Sequence, residues 1–228
     1  MSRLVLMYHG IHGDQHALDQ MPLEDRPYAV SAADFDAHLA LLADKPVSIT
    51  FDDGDAGWAL HAASLLARHN LTALFFVTPE LIGKPGYCSW DQLKQLVAAG
   101  HRLGSHGLTH RFLPDLSEQD CRHELEESRR LIEQHTGAEV TELSFPGGRY
   151  GARELRIARE LGYQHCHTSE PGRDQSGAFE VPRVAVRATT SSDWLTGLAG
   201  NNRKIWWRLL LVNALKRGLK RLLGNQGY

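Results

Sequence analysis

The sequence predicts an α/β fold whose mostly parallel sheet closes into a barrel. Short apolar runs alternate along the chain with amphipathic stretches, which is the pattern of strand–helix units. Crossover connections make such strands parallel, and closure into a barrel hides the sheet edges. An open doubly wound sheet fits less well, because no glycine-rich phosphate-binding turn follows the first strand. Seven runs are predicted to be strands, namely Leu4–Tyr8, Val47–Phe51, Leu71–Val77, Arg102–Ser105, Leu143–Phe145, Tyr163–Thr168 and Val181–Val186.

The stretches between these strands carry helix-boundary signals. Ser31 and Ser117 each precede an aspartate by three positions, as N-cap residues with an acidic first turn do. Ser89 opens an amphipathic stretch that ends at Gly100, and the longest helical run ends at Gly137. Glycine directly after a helix is a common C-terminal signal. Helices are therefore predicted between consecutive strands, as a parallel sheet requires.

Length and composition indicate one sizeable folded domain with a distinct C-terminal segment. The chain has 228 residues, of which 42% are hydrophobic and 23% are charged, and these fractions exclude wholesale disorder. Three cysteines without CxxC spacing argue against a disulfide scaffold and against a cysteine-rich zinc site. Residues 1–200 are predicted to form the barrel, and residues 201–228 a basic amphipathic helix.

The charges are distributed unevenly along the chain. Seven of the 25 basic residues follow Asp193, which is the last acidic residue, so residues 1–193 carry a formal charge of −9 and the remainder carries +7. An acidic body argues against nucleic acid as a partner.

The C-terminal segment has the composition of a helix at a membrane surface. On a helix, the cations and leucines of residues 204–223 separate onto opposite sides, and Trp206 and Trp207 are amphipathic anchors. We therefore predict peripheral membrane contact through 204–223. The alternatives are the last helix of the barrel, with its apolar side on the core, or a helix that packs against a partner helix.

Polar turns follow three of the predicted strands. Asp52-Asp53-Gly54 follows the second strand, a segment from His106 to His110 follows the fourth, and Pro146-Gly147-Gly148 follows the fifth. The carboxyl ends of parallel strands form the ligand-binding face of α/β folds, so these turns are expected to converge in space. The long segment 10–30 after the first strand is either a lid over this face or a solvated excursion.

The residue types in these turns suit a catalytic metal site. His106 and His110 are four residues apart, so on one helical turn their rings would point the same way. Two imidazoles and one carboxylate leave coordination positions open on a divalent ion, as in a catalytic site. Neighbouring aspartates at a strand end point in different directions, so one can bind the ion and the other can face the reacting water. The alternatives are a glycosidase carboxylate pair, which adjacent residues fit poorly, and surface turns without function.

Three motifs together resemble the polysaccharide deacetylases, the NodB-homology enzymes of carbohydrate esterase family 4. They are TFDDG at Thr50–Gly54, SHGLTH at Ser105–His110 and SFPGG at Ser144–Gly148. The order and spacing of the first two make a specific signal, whereas SFPGG alone is weak. The resemblance covers roughly residues 4–186. It implies a distorted (β/α)₇ barrel that hydrolyses an N-acetyl group from an amino sugar.

The resemblance also implies the roles of individual residues. It assigns Asp53, His106 and His110 as metal ligands and Asp52 as the general base. It further implies a backbone N–H near Gly147 that helps to hold the oxyanion. Pro146, Gly147 and Arg183 are predicted to bind substrate. The metal is predicted to be zinc, with cobalt, nickel and iron as alternatives.

The sequence departs from the family pattern at several positions. Gly107 replaces a serine or threonine, which is expected to remove one hydrogen bond from the loop. Gly147 replaces an aromatic residue, which is expected to leave that side of the pocket more open. Ser144 replaces an arginine that orients the base, and Arg183 or, second, Arg149 is predicted to take its place.

The general acid is the most serious departure from the family pattern. The family's late Leu-x-His histidine is missing, because no histidine follows His167. His9 at the end of the first strand is the first candidate to protonate the leaving amine. His167 is the second candidate, and a buried structural histidine is the alternative for it.

The sequence thus predicts a metal-dependent hydrolase that removes an acetyl or another small acyl group from an N-acylated amino sugar. The apolar run at the N-terminus is too short for a signal peptide, so a cytoplasmic location is expected, with contact at the cytoplasmic membrane face. A carbohydrate precursor or lipid-linked sugar of cell-envelope synthesis is then the expected substrate. The alternative is a catalytically weak carbohydrate- or lipid-binding module on the same barrel.

Overall fold

The computed structural model describes residues 2–223 and, from residue 216 onward, the course of the last helix without its side chains. The strands are β1 Arg3–Tyr8, β2 Ile11–His12, β3 Val30–Ser31, β4 Val47–Asp53, β5 Ala73–Val77, β6 Arg102–Ser105, β7 Glu142–Ser144, β8 His165–His167, β9 Arg173–Asp174, β10 Glu180–Val181 and β11 Val184–Ala185. The helices are α1 Gln15–Gln20, α2 Ala32–Leu42, α3 Ala63–Arg68, α4 Trp90–Ala98, α5 Glu118–Thr136, α6 Ala152–Glu160, α7 Ser192–Ala199 and α8 Arg203–Leu223.

The main sheet has the strand order β10-β8-β7-β6-β5-β4-β1-β11, and every pairing along this path is parallel. The short strand β9 pairs antiparallel with the start of β1. The predicted α/β fold with a mostly parallel sheet is confirmed. The predicted helix starts at Ser31, Ser89 and Ser117 are confirmed too, since each serine side chain accepts a hydrogen bond from a first-turn backbone N–H.

A connection of only two residues joins the two edge strands of the main sheet. β10 lies at one edge and β11 at the other, yet only Pro182 and Arg183 separate them in the chain. The two edges must therefore be adjacent, which makes the sheet a nearly closed barrel. The single strand predicted at Val181–Val186 is divided here, because Pro182 has no N–H to donate and the Arg183 N–H bonds instead to the Glu170 carbonyl.

Strand alternation separates an aromatic layer, which packs against α2, from the barrel interior. Phe51 of β4 stacks on Phe75 of β5 with ring centroids 4.8 Å apart, and this pair packs near Phe35 of α2. Asp52, which directly follows Phe51, points to the other face of the sheet, into the barrel. Burial of the aromatic layer thus fixes the register that turns Asp52 inward.

The segment 10–30 is folded rather than a plain excursion. Its ends pair as the two-stranded parallel sheet β2–β3, and it contains α1 and a 3₁₀ turn at Arg26–Tyr28. The Tyr28 ring lies 4.8 Å from the ring of His9, which places this segment beside the end of β1. It therefore borders the predicted ligand-binding face.

Helix α8 presents apolar side chains on two sides. Ile205, Trp206 and Leu209 pack on the core, whereas Trp207 and Leu215 are each 65% exposed. The predicted helix is present, but the described part does not sort cleanly into one apolar and one basic side. The side chains of the predicted basic residues Lys216, Arg217, Lys220 and Arg221 lie outside the described residues. Within the described chain, no helix combines the length and hydropathy that a membrane crossing needs.

Candidate metal centre

Asp53, His106 and His110 come together at the carboxyl ends of β4 and β6. The Asp53 Oδ1 atom lies 3.3 Å from Nε2 of His106 and 3.3 Å from Nε2 of His110. Three potential ligand atoms, one from each residue, lie within 4.8 Å of one another, and these residues form the one such cluster among the described residues. The predicted convergence of the two turns is therefore present in the fold.

The chemistry of these three atoms fits a divalent cation. The Nδ1 atom of His106 lies 2.9 Å from the Ser144 carbonyl, which can only accept, so Nδ1 donates to this carbonyl and Nε2 faces Asp53. Asp53 Oδ1 is buried and makes no hydrogen bond of good geometry to the described residues. Although burial opposes it, His106 and His110 hold the pKa of Asp53 well below its usual range, so this ligand is ionised.

The two histidines converge by a different route from the predicted one. Residues 106–110 form an irregular bend and not a helical turn. Gly107 has φ 73° and His110 has φ 66°, and these left-handed residues turn the chain back towards Asp53. Asp53 itself has φ 89°. Left-handed conformations of non-glycine residues are strained and cluster at functional sites, which agrees with a ligand role for Asp53 and His110.

Asp52 lies beneath this cluster and is held by Arg183. The two guanidinium nitrogens lie 2.7 and 2.8 Å from the two carboxylate oxygens, and the Ser144 hydroxyl donates to Oδ2 at 3.0 Å. Oδ2 is also 4.0 Å from Nε2 of His106. Burial acts to raise the pKa of Asp52, but the Arg183 charge, with His106, lowers it to about 2. Asp52 is therefore an ionised carboxylate next to, and not among, the three potential ligands.

Arg183 takes the place predicted for it beside Asp52, but it is not a substrate contact. Its side chain is wholly buried. Its guanidinium N–H groups donate hydrogen bonds to the Thr168 carbonyl, the Thr50 and Ser144 hydroxyls and the Asp52 carboxylate. The prediction that Arg183 binds substrate is therefore wrong, and the residue positions Asp52. The second candidate, Arg149, is excluded from this position because it pairs with Asp115 at the surface.

Gly147 is covered by an aromatic ring from another loop. It has φ 61°, and a Cβ at this position would lie 2.5 Å from Cε1 of Phe112. The expectation of a more open pocket side is wrong, because Phe112 fills this space. Pro146 is buried against the loop of residues 106–110, called the ligand loop below because it carries two of the three potential ligands. Its Cγ lies 3.2 Å from the position that a Cβ on Gly107 would occupy. The roles of Pro146 and Gly147 in substrate binding stay predictions.

The two candidate acids lie in different environments. The His9 ring packs on Tyr28, its Nδ1 is buried without a hydrogen-bond partner among the described residues, and the ring is near enough to Asp52 and Asp53 to contribute to the lowering of their pKa values. His167 is buried inside the barrel with its Nε2 2.8 Å from Glu142. It lines a cavity of about 530 Å³ shared with Arg3 and Arg102, whose strands start at that end. His167 therefore faces away from the metal cluster, which favours the structural alternative, and His9 stays the predicted acid.

Two acidic residues near the site were not identified from the sequence. Asp55 accepts hydrogen bonds from the backbone of Ile11 and Gly57, and burial raises its pKa to about 7. Glu124 of α5 accepts hydrogen bonds from the loop between His106 and His110. Glu124 has a signal in the sequence, because it falls among the buried positions of an amphipathic helix, where a carboxylate needs a partner.

Comparisons with known proteins agree on one family. The model of the polysaccharide deacetylase family matches residues 42–166. YxkH of Bacillus subtilis, which carries the name of a polysaccharide deacetylase, is 33% identical over 146 residues, or 63% of this chain and 52% of that protein. The peptidoglycan-N-acetylglucosamine deacetylase PgdA of Listeria monocytogenes is 31% identical over 120 residues, or 52% of this chain and 24% of that protein. The matched segments thus span about half of the first relative and a quarter of the second.

A solved structure has the same fold as this chain. The Streptococcus pyogenes deacetylase PplD, in complex with acetate, aligns with a TM-score of 0.74. The alignment covers 85% of this chain and 96% of that one, with 21% sequence identity. At this identity the alignment establishes the fold and leaves the substrate open.

Proposed function

Because this chain belongs to the polysaccharide deacetylase family, we propose that it is a metal-dependent hydrolase that removes an N-acetyl or another small acyl group from an amino sugar. The observation that carries the proposal is the cluster of Asp53, His106 and His110 with the ionised carboxylate of Asp52 beside it. PgdA is named for N-acetylglucosamine in peptidoglycan, which supports an N-acylated amino sugar as the substrate.

In this proposal, Asp53, His106 and His110 hold the metal and Asp52 handles the proton. A bound divalent cation supplies Lewis acidity, which polarises the amide carbonyl and acidifies water. Asp52 accepts a proton from the attacking water, whose oxygen bonds to the carbonyl carbon. With a pKa of about 2, Asp52 is ionised at neutral pH and is therefore in the form that can accept a proton.

The remaining steps are assigned to the residues around this pair. A backbone N–H near Gly147 is proposed to donate to the oxyanion. As the carbon–nitrogen bond breaks, the leaving amine takes a proton, and His9 is proposed as its donor. The products are a carboxylate, acetate for an N-acetyl group, and the free amino sugar. Zinc is the proposed ion, and cobalt, nickel or iron would suit the same ligands.

Removal and return of metal tests the proposal directly. We expect the chelated protein to release no acetate from N-acetylated amino sugars, and activity to return with about one equivalent of Zn²⁺ or Co²⁺ per chain, because one three-ligand cluster is available. Acetate release by the reconstituted protein is the measurement. His135→Gln, which changes an exposed histidine on α5, is the control and is expected to keep activity. A folded protein that hydrolyses none of these substrates with any of the four metals contradicts the proposal.

We also propose that α8 contacts the cytoplasmic face of an anionic membrane and that the substrate is a lipid-linked sugar or carbohydrate precursor. Trp207, Leu211 and Leu215 recur every four residues on the exposed side of α8, opposite its packed side, and Lys204 and Arg208 flank them. Seven cations and no anions follow Asp193, which complements an anionic surface.

Liposome binding tests this contact. The triple variant Trp207→Ser/Leu211→Ser/Leu215→Ser is expected to reduce co-sedimentation with anionic liposomes at least about tenfold, because it removes the exposed apolar anchors. Leu23→Ser/Leu41→Ser/Leu60→Ser changes three exposed leucines on the body and is the matched control. Liposome binding that is unaltered in the α8 variant contradicts membrane contact. A wild-type protein that is a dimer in solution and becomes a monomer in this variant also contradicts it, because the exposed side of α8 would then contact a second copy of the chain.

A further inference from the structure

Glu124 is a buried carboxylate that reaches from α5 into the loop between His106 and His110. Its Oε2 atom accepts hydrogen bonds from the backbone N–H groups of Leu108 at 2.8 Å and Thr109 at 3.0 Å. Its Oε1 atom accepts one from the Thr109 hydroxyl at 2.6 Å. Only 4% of the residue is exposed. One side chain therefore holds two consecutive residues between the two histidines.

The loop needs such an external partner because it is not helical. In a helical turn, the N–H groups of Leu108 and Thr109 would find carbonyls four residues earlier in the chain. Here the left-handed residues Gly107 and His110 reverse the chain on either side of them, and Glu124 supplies the acceptors. A buried backbone N–H without an acceptor is costly, so the loop conformation and the Glu124 carboxylate depend on each other.

Gly107 has no side-chain hydroxyl, so it contributes no side-chain hydrogen bond to the loop. A Cβ at Gly107 would lie 3.4 Å from Glu124 Oε2 and 3.2 Å from Pro146 Cγ, so the loop packs closely against both. The hydroxyl that bonds to Glu124 comes instead from Thr109, two residues later. The carboxylate is carried by the rigid 19-residue helix α5, whose Ser128 also bonds to Ser105 before the loop.

We infer that Glu124 is a positioning residue of the metal centre, whose three hydrogen bonds hold His110 against Asp53 and so set the affinity for the metal ion. The inference depends on the metal site of the proposed function. It extends that site to a residue that touches neither the ion nor the substrate. Groups that orient metal ligands in this way typically change metal affinity by about 10- to 100-fold when they are removed.

The test measures metal affinity rather than activity. Apo-protein is titrated with Zn²⁺ by calorimetry and with Co²⁺ by visible absorption, which reports the ligand geometry. Glu124→Leu removes all three acceptors and is expected to weaken the metal Kd by about 10-fold or more and to alter the Co²⁺ spectrum. Glu124→Gln is expected to retain most of the affinity, because its carbonyl can accept both backbone N–H groups and its amide can donate to the Thr109 oxygen.

Glu154→Leu is the matched control. Glu154 is equally buried, and its Oε2 accepts a hydrogen bond from the backbone of Gly151 at the start of α6, away from the ligand loop. It is expected to lower the melting temperature of the apo-protein as Glu124→Leu does, but to leave the metal Kd unchanged. A general loss of stability and a loss of ligand positioning are thereby separated.

Each outcome decides the inference. A Glu124→Leu variant that binds metal as tightly as the wild type overturns it. If Glu124→Leu does not fold, Thr109→Val decides the matter, because it removes the hydroxyl that bonds to Glu124: a few-fold weaker Kd supports the inference, and wild-type affinity overturns it. A wild type that binds neither metal overturns this inference and the proposed function together. Metal binding with the expected variant pattern but without deacetylation overturns the proposed function alone.

Discussion

Asp52→Asn is expected to lower the turnover number for N-acetylated amino sugars by about 10²- to 10⁴-fold, which is the usual contribution of a general base. The amide keeps the size of the side chain but cannot take up a proton at neutral pH. The variant is expected to bind metal as the wild type does, since Asp52 lies outside the cluster of three ligands. Acetate release and bound metal per chain, measured on the same preparation, check both parts.

Asp174→Asn is the matched control for this variant. Asp174 is a buried aspartate that pairs with Arg3 at 2.8 Å near the start of β1, away from the metal cluster. It should change stability without changing turnover. Full activity of Asp52→Asn would contradict the assignment of the base. A wild type that binds saccharide without turning it over, with unaltered affinity in Asp52→Asn, would favour the carbohydrate-binding module instead.

Arg183→Met is expected to lower the free energy of unfolding by about 3–5 kcal/mol at pH 7, because it leaves the Asp52 carboxylate buried without its ionic partner. Arg183 contacts both carboxylate oxygens, and its side chain is fully buried, so water cannot replace it. Urea unfolding in the presence of a chelator is the measurement, since a bound metal would also stabilise the carboxylate. The double variant Asp52→Asn/Arg183→Met should recover part of the loss, because no buried charge remains.

The pH dependence of this deficit follows from the pKa of Asp52. In the wild type this pKa is about 2, below its ordinary value of 3.8, so the pair stabilises the fold above about pH 4 and this contribution is lost as the pH falls towards 2. Without Arg183, burial remains and raises the pKa of Asp52, so the sign reverses. The deficit of Arg183→Met should therefore shrink as the pH is lowered from 8 to 5. An equal deficit at both values would contradict the pairing.

The predicted strands were recovered from local periodicity, and their ends differ from the structure by only a few residues. The exception is Val181–Val186, which reads as one apolar run but is divided by Pro182 between opposite edges of the sheet. Local pattern does not show which neighbour each half of a run will meet. The prediction of a helical turn at His106–His110 is also wrong, because Gly107 and His110 adopt left-handed conformations.

The sequence by itself determined the strand–helix alternation, the polar turns at the strand ends and the pairing of one aspartate with two histidines. The first two features are local, since each depends on residues within one short segment, and the third follows from them by the rule that parallel strands end on one face. Only the tertiary structure decided which distant groups support that cluster. Arg183 reaches Asp52 across 131 positions of sequence because the barrel closes at its position, and Glu124 and Phe112 reach the site from other segments. Such partners are selected by packing and by the need to satisfy buried charge. A local pattern shows at most that a residue is buried, as for Glu124, and not which group it will meet.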